Sequence, residues 1–339
     1  MKLLNVAVIG ATGIVGKEFI TLIEQRNFPV GELFPFASER SLGEFVEYKK
    51  KEISIIPLKK ENIADKKIDV AFFSAGSAVS KEMASVFSKK GALVIDNSSA
   101  FRMDKAVPLV VPEVNGDIVK NMKTGIIANP NCSTIQMVPF LDIVNKHAGI
   151  ESVFVSTYQS VSGAGKKGIE ELKDQVVTLF SGKSSDPQVF PQRIAFNLIP
   201  QIGPFYPDGY CEEEVKMINE TRKILGIKDL DIDVTTVRVP TFFSHAETVV
   251  INTKKECDTA KIKKQIENHS EMILMDDPEE LLYPTLIDSS RRNEVFIGRL
   301  RSNDTKRRVS AWVVADNVRK GAAYNALRIA ETALGVSYE

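Results

Sequence analysis

Residues 4–16, Leu4-Asn5-Val6-Ala7-Val8-Ile9-Gly10-Ala11-Thr12-Gly13-Ile14-Val15-Gly16, decide how the chain is read. The apolar run from Leu4 to Ile9 ends in a glycine-rich turn, and residues 15–23 then take up helical spacing, so the chain opens on the first half of a βαβ unit. Gly10, Gly13 and Gly16 let the backbone approach a ligand closely. The helix start that follows, with Thr12, Ile14 and Val15 in the turn, leaves amides to hold a pyrophosphate. A glycine string alone is a weak signal; its place after a strand and before a helix favours a dinucleotide site over a purely structural turn. Further along, residues 32–37 read as a second strand, 53–57 as a strand or sheet edge, 70–74 as a buried parallel strand, 79–89 as a helix and 93–96 as the next strand. This alternation predicts an α/β fold: a Rossmann-like, mostly parallel sheet with helices on both faces and ligands at the carboxyl ends of its strands.

A chain of 339 residues has room for about two domains, each with its own core. Apolar residues at 43% and charged residues at 26% are ordinary for a globular protein, and 44 cationic against 44 acidic side chains leave no surplus for non-specific nucleic-acid binding. The three cysteines, Cys132, Cys211 and Cys257, are too few for a disulfide framework and suit a reducing compartment, so a cytoplasmic enzyme is expected. The N-terminus lacks the pattern of a secretory signal. The longest uncharged segment, residues 124–141, carries Asn129, Pro130 and Asn131 in its middle, which argues against a membrane span. No internal repeat or low-complexity tract is present.

Beyond Asn131 the pattern changes. Helical spacing at 135–147, 166–180 and 211–225, with strand-like runs at 152–159, 234–239, 246–252, 295–301 and 308–314, predicts a second, α+β domain with a partly antiparallel sheet. The last stretch, 321–334, has an apolar stripe of Ala323, Leu327, Ala330 and Leu334 that could return to cover the first sheet.

Several side chains carry chemistry. Ser38, Arg40 and Ser41 offer donors at the end of the second strand and favour NADP over NAD, with Glu39 arguing the other way because an acidic group there suits a ribose 2′-hydroxyl. Cys132 precedes an apolar helical pattern, where a thiolate is stabilised; it reads as a nucleophile or as a small buried hydrophobe. Of three histidines, His245 lies between strand-like segments and is the acid/base candidate, whereas His147 and His269 read as surface or capping residues. Gln159 adjoins a donor-rich turn, Ser160 to Gly165, suited to a carbonyl or a nicotinamide amide. Glu213 and Lys216 share a helical face, as substrate ligands or as a solvated ion pair. No clustered histidines or paired cysteines suggest a metal.

These segments, together with Asp96 to Arg102, Asn129 to Thr134, Arg238 to His245 and Asp316 to Ala323, occur in an order that resembles the aspartate-semialdehyde dehydrogenases over nearly the whole chain. The resemblance implies an NADP-binding domain from residues 1–130 and 317–339, a catalytic and dimerisation domain from 131–316, and a cytoplasmic homodimer. It implies reversible NADPH-dependent reduction of L-aspartyl 4-phosphate to L-aspartate 4-semialdehyde and phosphate, a step toward lysine by way of diaminopimelate, threonine and methionine. Cys132 would attack the acyl phosphate, phosphate would leave, and hydride from NADPH would reduce the thioester to a thiohemiacetal that releases the aldehyde. His245 would manage the proton at the substrate oxygen and Gln159 would orient the intermediate. Arg238 would pair with the α-carboxylate, Glu213 would contact the amino group, and Arg102 with Lys216 would hold phosphate beside Asn131. Ser162, Gly163 and Asn317 would join the cofactor site. A related N-acetyl-glutamyl-phosphate reductase would share the acyl-phosphate chemistry, but Arg238 and Glu213 suit a free amino acid better. A non-enzymatic nucleotide sensor would have no use for Cys132.

Overall fold

The computed structural model describes residues 2–336; the anticipated first domain's residues 1 and 337–339 lie outside the described residues. The chain divides into two compact units, one of residues up to 131 together with those from 322 onward, the other Cys132–Gly321. Asn131 therefore falls in the first unit. The segment 317–321, anticipated there, belongs to the second, where Asn317 bonds Ser162 and Ser244, and Lys320 pairs with Glu271.

The first unit holds a six-stranded sheet, every pair parallel, in the order Ile56–Pro57, Val30–Ala37, Leu4–Ile9, Val70–Phe73, Leu93–Asp96, Gly125–Ala128. Its central strands are apolar on both faces because both are covered. Val6 and Val8 of the first strand face one core with Phe19, Ile23, Ala323, Leu327 and Ala330, while Ala7 and Ile9 face another with Phe36, Met83 and Phe87. The C-terminal helix, Asn325–Leu334, thus covers the first sheet as its stripe suggests. A π-helical turn, Arg319–Tyr324, precedes it where helical spacing alone predicts one continuous α-helix. The glycine turn is tight: a Cβ at Gly16 would meet the Gly10 carbonyl oxygen at 2.0 Å.

Residues 53–57 are not one strand. Lys51–Ser54 pairs with Phe45–Tyr48 in a hairpin, and only Ile56–Pro57 joins the large sheet. The hairpin turns through Lys49 and Lys50, both at positive φ (50° and 60°), where sequence reading looks for Asn or Gly.

The second unit holds a mixed six-stranded sheet ordered Asp231–Arg238, Ile150–Gln159, His245–Thr253, Arg308–Ala315, Val295–Ser302, Met272–Leu274. The two outer pairs are parallel and the three inner ones antiparallel. One face packs Val153, Val155, Val249, Ile251 and Val313 against Met137, Phe140, Leu141 and Val144 of the helix Cys132–Ala148. Burial nearly all round this helix explains its weak amphipathic pattern. The alternate residues Phe154, Ser156, Tyr158, Thr248, Val250 and Trp312 leave the other face partly exposed. The helix Thr259–Glu267 and the strand Met272–Leu274 are elements that the periodicity did not suggest. Among the described residues, no helix is long and apolar enough to cross a membrane.

Candidate active site

In the second unit, strand register gathers three of the expected catalytic and binding residues into one row. Arg238 is in register with Gln159, and Gln159 with His245, on three adjacent strands. All three are buried. The next row on the same face is polar as well: Thr236, Thr157 and Glu247, each fully buried. Gln159 Nε2 donates to Thr157 Oγ1 at 3.4 Å, which ties the two rows together.

His245 is held from one side. The Ser160 backbone N–H donates to its Nδ1 at 3.1 Å, and the Ser160 hydroxyl lies 3.1 Å from the same nitrogen. A backbone N–H can only donate, so Nδ1 is the acceptor and the neutral ring carries its proton on Nε2. Among the described residues Nε2 has no hydrogen-bond partner. Burial first, and then the charge of Arg238, push the His245 pKa down to about 3, against a hydrogen bond with the Ser244 backbone.

Arg238 Nη1 donates to the Ser160 carbonyl at 2.7 Å, and its guanidinium lies 5.9 Å from the centre of the Phe190 ring. Burial pushes its pKa down, while the charges of Glu213 and Cys132 oppose that shift. Room for Arg238 depends on Gly163, where a Cβ would stand 2.7 Å from Arg238 Nη1 and 3.5 Å from His245 Nε2. Gly163, anticipated at the cofactor, forms a wall of this buried row.

Cys132 is the first residue of its helix and is half-buried, whereas Cys211 and Cys257 are buried free thiols. A small buried hydrophobe would not be left half-exposed at a helix N-terminus, the position that stabilises a thiolate. Gly321 backs it: a Cβ there would come within 2.7 Å of the Cys132 Cβ. Glu213 is buried, and Lys216 Nζ lies 3.2 Å from Glu212 and 3.7 Å from Glu213, so the ion-pair reading of this helix face describes what is present. Asn317 is enclosed by protein groups. Its Oδ1 accepts from the Ser244 N–H at 2.9 Å and from the Ser162 hydroxyl at 3.1 Å, and its Nδ2 donates to Ser162 Oγ at 2.9 Å.

In the first unit, Arg102 is buried and donates to the carbonyls of Asn129 and Asn97 at 2.9 and 3.0 Å; Asn131 is buried too. Gly13 caps the helix Ile14–Gln25 without a side-chain hydrogen bond. Ser38, Glu39 and Arg40 are exposed after the second strand, and Ser41 Oγ sits 3.3 Å from Thr12 Oγ1. Glu39 pairs with Lys59, whose hydrogen bond and charge hold the carboxyl below its usual range. His147 and His269 accept backbone N–H bonds from Asp258 and Glu271, as capping residues do. No group of three or more His, Cys, Asp or Glu among the described residues has metal-binding geometry.

Sequence reasoning missed Ser160 as an anchor, Glu247, and Gly321 behind the thiol. Only Glu247 had a legible signal, since period-two alternation places it on the His245 face of the strand.

The chain matches two family models, the semialdehyde dehydrogenase NAD binding domain over residues 5–122 and the semialdehyde dehydrogenase dimerisation domain over 141–320. It is 51% identical over 330 residues to the aspartate-semialdehyde dehydrogenase of Aquifex aeolicus, covering 96% of this chain and 97% of that protein. The Campylobacter jejuni enzyme of the same name is 45% identical over 331 residues, 96% of either chain. Among solved structures, aspartate semialdehyde dehydrogenase II complexed with ASA from Vibrio cholerae superposes with a TM-score of 0.94 at 40% identity, covering 100% of both chains. A nucleotide-binding α/β unit, a sheet unit whose register lines up Arg238, Gln159 and His245, and end-to-end similarity to these enzymes lead to one conclusion: this chain is an enzyme and belongs to the aspartate-semialdehyde dehydrogenase family.

Proposed function

We propose that the enzyme reversibly reduces L-aspartyl 4-phosphate to L-aspartate 4-semialdehyde and phosphate with NADPH, by way of a thioester on Cys132. The observation that carries this reading is the buried row of Arg238, Gln159 and His245 in the same unit as a half-buried thiol at a helix start. The Vibrio cholerae relative, named for its complex with ASA, supports the substrate.

In this reading the Cys132 sulfur attacks the acyl carbon, the carbonyl oxygen takes up the electron pair, and the pair returns as the carbon–phosphate oxygen bond breaks. The Nε2–H of His245 donates to the substrate oxygen where negative charge develops. Gln159, neutral and anchored on Thr157, orients the acyl group without competing for the proton. Arg238 presents its guanidinium to the α-carboxylate and Glu213 takes the amino group, so that both charged ends place the electrophile before the sulfur is committed. Arg102, Asn131 and Lys216 are the residues assigned to phosphate.

The turn from Gly10 through Thr12, Gly13, Ile14 and Val15 to Gly16 fits a dinucleotide, because its helix start is uncapped by any side chain and its glycines leave no Cβ in the way. Bound there, NADPH would supply the reducing equivalent. Lys59 occupies the Glu39 carboxylate, which leaves Ser38, Arg40 and Ser41 to a 2′-phosphate and supports NADP. Ser162, Gly163 and Asn317 complete the cofactor assignment. Three free thiols support a reducing, cytoplasmic setting.

The test is spectrophotometric turnover of L-aspartate 4-semialdehyde with phosphate and NADP, with a parallel NAD assay. Phosphate-dependent NADPH formation is expected, weaker with NAD, and lost in Cys132→Ser. A folded wild type that binds the cofactor yet does not turn over would refute the substrate assignment.

A further inference from the structure

The helix Gly165–Phe180 carries two buried polar side chains, Glu171 and Gln175, that hold the segment 188–199 by its backbone. Glu171 accepts the N–H groups of Gln188 and Val189, and Gln175 Oε1 accepts those of Ile194 and Ala195 at 2.9 and 3.0 Å. Gln175 Nε2 closes the pair by donating to Glu171 Oε1 at 2.8 Å. The end of the segment is tied to Arg238 itself. The Ile199 N–H donates to the Arg238 carbonyl at 3.0 Å, and the Arg238 N–H donates to the Ile199 carbonyl at 2.8 Å. Between these anchors Phe190 is buried with Val161, Leu172, Ile194 and Ile199, and the Arg238 guanidinium carbon stands over its ring, 5.9 Å from the centre. We propose that Phe190 is a positioning residue that holds the guanidinium plane of Arg238 for the substrate's α-carboxylate.

One hydrogen bond does not fix a plane. Among the described residues the Arg238 side chain makes a single one, from Nη1 to the Ser160 carbonyl, which pins a corner of the guanidinium and leaves it able to turn about that corner. A carboxylate taken up on two parallel N–H bonds needs the plane set as well. An aromatic face supplies that restraint, because its negative π-cloud attracts the cation and does so most strongly out of water, where Arg238 lies. The ring has its own support. A Cβ at Gly168 would stand 3.1 Å from Phe190 Cζ, so the ring edge packs directly on the helix backbone. With Glu171 and Gln175 each occupied by two backbone N–H groups, the segment that carries Phe190 is set before substrate arrives, which lowers the ordering cost of binding. The inference rests on the proposed reading of Arg238 as the ligand of the α-carboxylate.

The test is oxidation of L-aspartate 4-semialdehyde with phosphate and NADP by Phe190→Leu, which keeps much of the packing volume and removes the ring face. KM for the semialdehyde should rise about tenfold, as expected for one desolvated cation–ring contact that serves binding. In the same assay kcat and the KM for phosphate should stay within about twofold. Phe190→Met is a second variant without a ring, and melting curves show which of the two is folded. A ¹⁵N spectrum of arginine-labelled enzyme reads the contact without turnover: the Arg238 Nε–H signal, identified by its loss in Arg238→Lys, should move in both variants. An unchanged semialdehyde KM in a folded variant overturns the proposal. An Arg238 signal that stays in place overturns it too, and so does an equal rise in the KM for phosphate, which would mean a general loosening of the site. If wild-type enzyme fails to turn over the semialdehyde, the substrate reading falls, while the spectrum still decides whether Phe190 holds the guanidinium.

Discussion

Burial drives His245 and Glu247, two residues apart on one strand face, to the same electrical state by opposite chemical shifts. His245 is pushed down to about 3 and the Glu247 carboxyl well above its ordinary 4.5, so burial favours the neutral form of both. For Glu247 burial is the larger cause, and Gln136 and Ser133 pull the other way without closing a hydrogen bond of ordinary length on the carboxyl. The two groups load stability differently. Below about pH 6.5 the unfolded chain gains a histidine proton that the native site refuses, so the His245 contribution is present above 6.5 and is lost as pH falls toward 3. Above about 4.5 the unfolded chain releases a Glu247 proton that the native core retains, so that contribution is present at low pH and is lost as pH rises. Glu247→Gln should remove this second slope and leave the first. Relative to wild type, the variant should gain stability in urea unfolding as pH rises above about 4.5, at up to about 1.4 kcal/mol per pH unit. Parallel stability curves for the two proteins would mean that Glu247 is ionised in the native state.

The helix Glu212–Leu225 shows how an element can be anchored by a residue that its sequence disguises. Glu214 Oε2 accepts the Cys211 N–H at 2.7 Å and its Oε1 accepts the Thr236 N–H at 2.9 Å, which ties the helix start to the strand that ends in Arg238. Cys211 Sγ lies 3.2 Å from Thr236 Oγ1 on the same seam. Replacing Glu214 with Ala should destabilise the protein by about 1–3 kcal/mol, from a lost cap and an unsatisfied buried N–H. Through Glu213 and Arg238 it should also raise KM for the semialdehyde more than it lowers kcat. Unchanged denaturation and kinetics would show that the seam carries no load. The capping pattern is hard to read because Cys stands where Ser or Thr would announce it, and Glu214 is one acid in a run of three. The Lys49-Lys50 hairpin escapes for the same kind of reason, since lysine carries no turn signal. Elements with clear period and ordinary punctuation, such as the helix Gly165–Phe180 and the strand Leu93–Asp96, fall within one residue of their expected bounds.

At the scale of the whole molecule, the sheet of the second unit buries one face in its own core and leaves Phe154 44% exposed on the other, beside Thr248 and Val250. The expected homodimer would cover this face, in keeping with the dimerisation-domain match. Light scattering should give twice the chain mass for the wild type, and Phe154→Asp should shift the protein toward monomer; a wild-type monomer at micromolar concentration would refute the assignment. By itself the sequence determined the α/β and α+β characters of the two halves and the glycine-rich turn, and it singled out Cys132, Gln159, Arg238 and His245 as candidates, because period, punctuation and motif are properties of neighbouring residues. Only the tertiary structure decided that Arg238, Gln159 and His245 share one row, that Ser160 reaches a histidine 85 residues away, and that its N–H meets that ring at Nδ1. Register and burial arise from contacts between distant segments, and it is they that set which atom of a side chain faces a partner and which charge it can bear.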